Sequence, residues 1–414
     1  MDQIETKTTN CRICGNSNLI EVMDFGELAL TGVFLTGGNE VPTAPLILCR
    51  CESCGLVQLA HSYKQEFLYG DTYGYESHLN PSMVTHLQAK AKMLEQKYLS
   101  DKENPIVVDI ASNDGTLLSG YTNPNCRTVG IDPLIDVVGN FYPKNATKLK
   151  QFFSSVGYFS KVNEKADLVT SLSVLYDLDD PRKFAQDVAE ILNADGIWHF
   201  EQSYLPTMID TLSYDTICHE HLLYLTLTDI ENLLRESGMV IIDASLNSVN
   251  GGSIAVTAQK KSLKEKSPFA QYLLEKEIGR GYKSIEPIRI FAHNADRHRS
   301  ELKDLILNYK NSGFDVYALG ASTKGNVLLQ WLEIDNDLIK SIGDVNTRKF
   351  GKQTPGTCIP IVDENEILKL ASSNVIALVL PWHFRQGIVA KSQKFLENGG
   401  ALMFPLPQIE VVSI

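Results

Sequence analysis

The 414-residue sequence contains no run of about 18 consecutive apolar residues, which is the length that a membrane-spanning helix needs. Its first residues also lack the apolar core of a secretory signal. Positive charge is not in excess either, because the formal net charge is −12. Nucleic-acid backbones bind to basic surfaces, so this balance argues against a non-specific nucleic-acid binder. We therefore expect a cytoplasmic protein whose partners include neither membranes nor nucleic acids.

The length and the pattern of the chain predict several domains. At roughly 150 residues per domain, 414 residues make two or three. Residues 1–60 are dense in Cys, Gly and Pro and predict small β-hairpins, followed by a connecting helix over 78–98. Short apolar runs then alternate with amphipathic stretches, both in 105–242 and after 313, which is typical of α/β folds with a parallel sheet. We expect an N-terminal module (1–75), a first doubly wound α/β domain (76–250) and a second one (251–414).

Two CxxC pairs, each followed by glycine, stand in the N-terminal module. Cys11 and Cys14 form the first pair, and Cys51 and Cys54 the second. Thiolates at i and i+3 of a tight turn converge on one centre, so the two pairs predict a structural Zn²⁺ site with four sulfur ligands. Buried free cysteines or a redox pair are the alternatives. The spacing of Cys49 does not suit a ligand.

A second motif predicts a cofactor loop. An apolar strand, residues 106–108, leads through Asp109 into a turn of small residues and a helix start. Ala111 and Asn113 occupy positions where a dinucleotide-binding loop has glycines, so the loop suits the amino-acid tail of S-adenosylmethionine better than a pyrophosphate. Asp132, at the end of the next strand, is placed to accept ribose hydroxyls. The alternative is an ordinary strand-turn-helix. The predicted cofactor-binding residues are Asp109, Ala111, Ser112, Asn113, Gly115, Asp132, Phe153 (against adenine, or simply core) and Ser173 (near the sulfonium).

The residues with catalytic potential cluster in the segment 215–224. His219 and His221 flank Glu220, and histidines at i and i+2 do not share a helix face, so one can face a site while the other packs elsewhere. Either histidine, polarised by Glu220, could act as a general base near neutral pH, and a satisfied structural histidine is the alternative.

Further polar residues follow predicted strands, where open α/β sheets place their ligands. Glu201 and Tyr204 are predicted to contact a polyol substrate. Lys324 and Asn326 open a helix after a strand of the last domain and predict a phosphate cradle. Tyr75, within the aromatic stretch 73–78, is predicted to cap the same cleft, or to be part of a surface turn.

With these motifs in order, the chain resembles, over nearly its whole length, the C-methyltransferases that act on nucleotide-linked 4-keto-deoxyhexoses. The residues that carry the resemblance are Cys11, Cys14, Cys51, Cys54 and the segments 112–116, 219–221, 251–253, 324–326 and 355–357. The resemblance implies a class I methyltransferase domain between a zinc module and a second α/β domain. It implies S-adenosylmethionine-dependent methylation of carbon 3, with His221 as the base, supported by Glu220 and by Tyr75.

Four positions depart from this family's pattern, and other functions remain open. Ala111 replaces a glycine, Asp177 and Asn250 stand where histidines are frequent, and Cys218 stands where tyrosine can occur. The nucleotide, the sugar, the stereochemistry and the oligomeric state, a monomer included, are left open. The alternatives are O- or N-methylation of a small metabolite and a non-enzymatic zinc-knuckle binding protein.

Overall fold

A computed structural model of the chain describes residues 4–36, 41–68, 75–260, 265–370 and 374–414. Within these ranges the strands form a four-stranded, a seven-stranded and a six-stranded sheet and two small two-stranded ribbons. The three larger sheets belong to three consecutive parts of the fold. Among the described residues, no helix combines the length and the hydropathy that a bilayer crossing requires.

The N-terminal part consists of short antiparallel strands around the cysteine pairs. Its elements are β1 (Glu5–Lys7), β2 (Leu19–Ala29), β3 (Leu35–Thr36), β4 (Thr43–Cys51), β5 (Val57–Leu59), β6 (His61–Tyr63) and α1 (Gln65–Leu68). β2, β4 and β5 pair as neighbours in one sheet, and β1 pairs with β6. β4 contributes the buried Leu46 and Leu48 to this module's core, and β5 contributes the buried Leu59.

The expected connecting helix is α2 (Pro81–Leu94), and a π-helical turn, Glu95–Leu99, extends it. Its start follows from local chemistry, because the Asn80 side chain accepts a hydrogen bond from the Ser82 backbone N–H at 3.0 Å and Pro81 occupies the first turn. The apolar side of α2 is buried through Met83, Leu87 and Leu94.

The cofactor domain is an α/β sandwich. Its elements are β7 (Ile106–Ile110), β8 (Arg127–Ile131), α3 (Ile135–Val138), β9 (Thr147–Leu149), α4 (Ser155–Phe159), β10 (Ala166–Leu172), α5 (Pro181–Ile191), β11 (Leu192–Ser203), α6 (Leu205–Asp210), β12 (Leu223–Tyr224), α7 (Leu227–Glu236), β13 (Met239–Asn247) and β14 (Ser253–Lys260). The seven-stranded sheet has the order β13-β14-β11-β10-β7-β8-β9. All five residues of β7 are buried, as expected for a central parallel strand covered on both faces.

The sheet differs from the expected all-parallel one at β14. This strand inserts between β11 and β13 and runs antiparallel to both. Because β14 covers residues 253–260, a domain boundary at residue 250 would cut through this sheet. The sequence pattern carries no information on which neighbours this strand joins.

The C-terminal part is the second doubly wound unit. Its elements are α8 (Pro268–Gly279), α9 (Glu286–Asn311), β15 (Asp315–Leu319), α10 (Thr323–Trp331), β16 (Ile342–Asp344), β17 (Lys352–Gln353), β18 (Ile361–Asp363), α11 (Glu364–Leu368), β19 (Val375–Val379), α12 (Arg385–Lys391), α13 (Gln393–Glu397), β20 (Ala401–Phe404) and β21 (Glu410–Val412). The sheet order is β18-β16-β15-β19-β20-β21, and only the edge strand β21 is antiparallel to its neighbour.

Two short pairings join the N-terminal module to the other two parts. β12 of the cofactor domain extends the module's main sheet by pairing with β5. β17 of the C-terminal part pairs with β3 of the module. The segment 215–224, which carries the predicted catalytic residues, ends in β12 and is therefore fixed at the junction of the three parts.

Candidate active site and zinc centre

The four cysteines of the two CxxC pairs converge. Their sulfur atoms all lie within 4.8 Å of one another, with Cys11 and Cys54 at 3.5 Å and Cys14 and Cys51 at 3.6 Å. A tetrahedral zinc with Zn–S bonds of about 2.3 Å needs sulfur atoms about 3.8 Å apart, so the geometry fits. The following Gly15 adopts φ +73°, as the turn requires. With four thiolate ligands the zinc has no open position, so it stabilises the module and takes no part in catalysis.

The predicted cofactor loop joins β7 to the turn before β8. Ala111 and Asn113 have φ of +54° and +48°, the left-handed region that glycine tolerates best, and Gly115 has φ +87°. Ser112 is buried and its hydroxyl lies 2.6 Å from the Tyr142 hydroxyl, which also donates to the Asn113 carbonyl. The loop therefore holds the conformation of a glycine-containing loop without all of the glycines.

Two buried carboxylates, Asp109 and Asp132, flank this loop. The Thr170 hydroxyl donates to Asp109 at 2.6 Å, and the backbone N–H groups of Asn113 and Leu134 donate to Asp132 at 2.9 and 2.7 Å. Burial raises the pKa of both groups, that of Asp109 to about 7. Among the described residues no ion pair reaches either carboxylate, so the site fits the cationic amino-acid end and the ribose of S-adenosylmethionine.

The remaining predicted cofactor residues lie on the same side of the sheet. Ser173 follows β10, has φ +58° and donates its N–H to the Glu201 carbonyl at 2.7 Å. Phe153 packs edge-on against Phe184 with ring centroids 5.2 Å apart, so its ring is partly core. Phe152, its neighbour, is 52% exposed.

The segment before α2 contacts the cofactor loop through residues that sequence reasoning missed. The His78 ring lies 3.0 Å from the fully buried Asp114 carboxylate, which also accepts the His78 backbone N–H. Asn113 donates to the Tyr75 carbonyl at 3.2 Å. The Tyr75 side chain itself is 47% exposed, and the neighbouring 73 and 74 lie outside the described residues. The pairing of a histidine with an aspartate 36 residues later leaves no local signal.

The segment 215–224 directs its two histidines to different places. His219 is fully buried, with Nε2 3.2 Å from the Ala44 carbonyl and its ring edge-on to Tyr63, so it packs into the zinc module. Glu220 is 6% exposed and accepts a bond from the Thr31 hydroxyl at 3.3 Å, while its Oε1 has no partner in the described structure. Burial raises the pKa of Glu220, which favours its protonated, donor form.

His221 faces the cofactor domain. Its Nδ1 lies 2.8 Å from the Thr216 carbonyl, which can only accept, so Nδ1 carries the proton and Nε2 has the free lone pair. The centroid of its ring lies 4.3 Å from the centroid of the Tyr176 ring. Tyr176 follows β10, three residues after Ser173. Burial and then the positive charge of Lys324 lower the pKa of His221 to about 3. The imidazole is therefore neutral at physiological pH.

Glu201 and Tyr204, predicted to contact a polyol, are directed elsewhere. The Glu201 carboxylate is held by His86 and Lys90 of α2, both at 2.7 Å, and by Asn247 at 2.8 Å. Burial alone would raise the pKa of Glu201, but His86 and Lys90 outweigh it and lower the pKa to about 2. The Tyr204 hydroxyl donates to the buried Glu277 at 2.6 Å. Tyr204 lines a small cavity together with His221, but its hydroxyl is engaged by Glu277, and the Glu201 carboxylate is engaged by His86, Lys90 and Asn247.

The C-terminal part contributes several polar groups to the region of His221. The Lys324 ammonium donates to the Asn250 carbonyl at 2.7 Å. The Trp382 indole donates to Asp215 at 2.8 Å, leaving Asp215 Oδ1 without a partner in the described structure. His383, also without a partner at Nδ1, has its pKa lowered to about 3 by burial and by Lys324.

The zinc module closes the same region from the other side. The Asn326 amide donates to the Thr31 carbonyl at 2.7 Å, while its Oδ1 has no partner in the part of the chain described. A Cβ on Gly32 would lie 2.4 Å from Glu220 Oε1 and 3.6 Å from the Thr323 hydroxyl. A loop of the module, Thr31 and Gly32, is thus inserted between the segment 215–224 and α10.

The expected phosphate cradle at the start of α10 is largely occupied by the protein itself. The Ser322 side chain caps the Gly325 N–H at 3.0 Å, and the Ala321 N–H donates to Asp344 at 2.8 Å. Asp344 is buried, and a carboxylate at this position would repel a phosphate bound beside it. Lys324 points across to the cofactor domain instead of along the helix start.

Family models match the chain in three consecutive pieces. A zinc binding domain matches residues 11–69, a methyltransferase domain matches 83–244, and a C-methyltransferase C-terminal domain matches 248–407. Together these pieces cover most of the chain, and the C-terminal match includes β14, which the structure places in the sheet of the cofactor domain.

Individual relatives agree with these matches. The C-methyltransferase NovU of Streptomyces niveus is 28% identical, over the whole of this chain and 99% of its own length. Among solved structures, the magnesium protoporphyrin IX methyltransferase of Synechocystis is 15% identical (TM-score 0.31; 44% of this chain, 82% of that chain). The N-methyltransferase NodS of Bradyrhizobium japonicum is 16% identical (TM-score 0.32; 42% and 96%). These structural likenesses are too weak to bear on the substrate. The chain is an S-adenosylmethionine-dependent methyltransferase, and it is similar over its whole length to a C-methyltransferase.

Proposed function

We propose that this methyltransferase acts on carbon 3 of a nucleotide-linked 4-keto-deoxy sugar and that His221 is the general base. The observation that carries the proposal is the state of His221: neutral, with Nδ1 fixed on the Thr216 carbonyl and Nε2 available. A methyl transfer to carbon needs a carbanion, and a ketone acidifies the adjacent C–H bond. His221 Nε2 takes that proton, and the electron pair of the C–H bond moves into the enolate.

The groups around His221 suit a polyhydroxylated substrate. Asp215 Oδ1 and Asn326 Oδ1 are buried acceptor atoms without a partner in the described structure, and Glu220 Oε1, also without one there, can donate to a substrate oxygen when the carboxyl group is protonated. Leaving such atoms unpaired costs about 1–3 kcal/mol each, so they favour a ligand that brings several hydroxyl donors. A sugar does so, whereas an apolar metabolite does not.

The cofactor residues proposed from the sequence complete the site. Asp109 and Asp132 hold the amino-acid end and the ribose, with the 111–115 loop beneath them. Bound S-adenosylmethionine supplies the methyl group that the carbanion receives. Ser173 and Tyr176 lie between this loop and His221, so proton abstraction takes place next to the cofactor end of β10.

The test is hydrogen exchange without methylation. The wild-type protein, saturated with S-adenosylhomocysteine in D₂O, is expected to replace the carbon 3 hydrogen of a keto sugar nucleotide, followed by NMR. His221→Ala should lose this exchange and methylation by about 10²–10⁴-fold while binding S-adenosylhomocysteine normally. His293→Ala, an exposed histidine on α9, is the matched control. A His221→Ala enzyme that retains most of its methylation would favour O- or N-methylation by proximity instead.

A further inference from the structure

Lys324 has an unusual position for a residue in the first turn of a helix. Its ammonium crosses from α10 to the cofactor domain and donates to the Asn250 carbonyl at 2.7 Å. Asn250 presents this carbonyl from a turn in which its own φ is +55°. Within the described structure this is the one hydrogen bond that the ammonium makes, and no carboxylate lies within 4.0 Å of it. A lysine ammonium has three N–H donors, so two remain available.

The groups around this ammonium are those of the proposed reaction centre. Its charge acts on His221 and on His383. Burial lowers the pKa of Lys324 itself, and the negative charge of Asp215 opposes this shift and favours the protonated ammonium. Asp215 is anchored by Trp382, which leaves its Oδ1 unpaired. Lys324 is thus a cation without a direct counterion in the region of the proposed base, His221. Two polar atoms of the same region, Asp215 Oδ1 and His383 Nδ1, have no partner in the described structure.

We propose that Lys324 binds the keto oxygen of the substrate and stabilises the enolate, and that it does not bind the phosphates. This assignment rests on the proposed function. As His221 Nε2 takes the carbon 3 proton, the C–H electrons form the C=C bond and the carbonyl π electrons move onto the oxygen. Lys324 keeps its proton and donates a hydrogen bond to that oxygen. No oxidant or further reactant is needed.

Electrostatics explain why the reaction needs such a partner. A neutral imidazole whose pKa is depressed is a weak base, and a hydrogen next to a ketone is a much weaker acid than imidazolium. A fixed cation at the developing oxyanion, in a site of low dielectric, supplies the missing stabilisation. Once the oxyanion forms beside Lys324, it cancels the field that acts on His221, so the imidazolium is stabilised at the moment when it appears.

The surroundings of α10 argue against a phosphate role for this side chain. The helix start is capped by Ser322, and the preceding loop lies against the buried Asp344. Lys349, the neighbouring cation, is engaged with the Ala321 carbonyl at 2.7 Å. The Lys324 side chain thus points away from the start of α10, where the sequence predicts a phosphate.

The experiment compares Lys324→Met and Lys324→Gln with the wild type and with Lys340→Met, an exposed lysine of the same domain. Lys324→Gln keeps a donor for the Asn250 carbonyl and removes the charge, so it remains informative if Lys324→Met folds poorly. Calorimetry measures binding of S-adenosylhomocysteine and of thymidine, uridine, guanosine and cytidine diphosphates. NMR in D₂O measures exchange at carbon 3, and steady-state kinetics gives kcat and KM between pH 5 and 9.

We expect both Lys324 variants to bind cofactor product and diphosphate as the wild type does, and to lose exchange and kcat by about 10²–10³-fold. The acid limb of their pH profile should move to higher pH, because the charge that acts on His221 is gone. Exchange at the wild-type rate, or weaker diphosphate binding with kcat unchanged, would overturn the assignment. A wild-type enzyme that binds S-adenosylhomocysteine but exchanges no keto sugar would instead refute the proposed function itself.

Discussion

The pKa of Asp109 gives cofactor binding a predicted pH dependence. Burial raises this pKa to about 7, against the opposing hydrogen bond from Thr170. A cationic amino group binds the ionised form, so binding must release the proton that Asp109 holds below pH 7. The ionised fraction is about 3% at pH 5.5 and about 75% at pH 7.5, which predicts about 25-fold tighter binding of S-adenosylhomocysteine at the higher pH.

Calorimetry at both pH values, in buffers of different ionisation enthalpy, measures the affinity and the proton release together. Asp109→Asn should bind weakly and without this pH dependence, and Thr170→Val should move the midpoint to higher pH. Asp136→Asn, an exposed aspartate of the same domain, is the control. An affinity that is flat between pH 5.5 and 7.5, or a slope retained in Asp109→Asn, would refute the reasoning.

The raised pKa of Asp109 has opposite consequences for cofactor binding and for stability: as the pH rises, binding strengthens but the free energy of unfolding falls. The folded pKa of Asp109 lies above the value of about 4 in an unfolded chain, so the folded state holds the proton more tightly. Its contribution to the free energy of unfolding is therefore lost as the pH rises from about 4 to about 7. In the absence of cofactor, Asp109→Asn should stabilise the protein at pH 8 and bring no such gain below pH 4.

Three further substitutions test the strain and contacts of the site. Ala111→Gly should raise the free energy of unfolding by about 1 kcal/mol, because the residue has a left-handed φ; urea denaturation measures it. Gly32→Ala should displace the Glu220 carboxylate and lower kcat, with S-adenosylhomocysteine binding unchanged in calorimetry. Lys90→Met should destabilise the fold by about 3 kcal/mol in the same urea assay, because it leaves the buried Glu201 charge with one partner fewer.

Two of these substitutions, Gly32→Ala and Lys90→Met, have a matched control in the same chain. Gly279→Ala places a methyl group where nothing lies within 4 Å and should leave kcat unchanged. Lys97→Met breaks an exposed ion pair with Asp243 and should cost less than 1 kcal/mol. A destabilised Ala111→Gly, a fully active Gly32→Ala, or equal effects of the two lysine variants would contradict the respective argument.

The features that the sequence predicts best are those whose chemistry is local. Cys11 and Cys14 are three residues apart, and their spacing alone places both thiolates on one centre. The loop after β7 is likewise formed by consecutive residues. The strand before it, its turn and the positions that favour glycine could therefore be predicted from the sequence. Here Ala111 is instructive: the loop conformation is retained, and the missing glycine appears as a positive φ and not as a different turn.

The features that the sequence did not predict depend on partners far along the chain. Glu201 lies near the carboxyl end of β11, where a ligand-binding residue is expected, but its partners His86 and Lys90 come from a helix more than 100 residues earlier. Lys324 lies in the first turn of α10, a position typical of phosphate sites, but its ammonium donates to the Asn250 carbonyl of the cofactor domain. A periodic pattern reports which face of an element is buried, and it contains no information on what covers that face.

The zinc module influences the reaction centre although its metal takes no part in the chemistry. β12 pairs with β5, so backbone hydrogen bonds of the module fix the end of the segment that carries His221. The module's Thr31 contacts Glu220 through its hydroxyl and Asn326 through its carbonyl, and thereby sets the distance between the catalytic segment and α10. The four thiolates would join the turn before β2 to the turn between β4 and β5, so bound zinc would hold the strands of the module that carry these contacts in place. The metal is therefore a geometric requirement of the site, and its loss should affect turnover before cofactor affinity, since the contacts of Asp109 and Asp132 lie wholly within the cofactor domain.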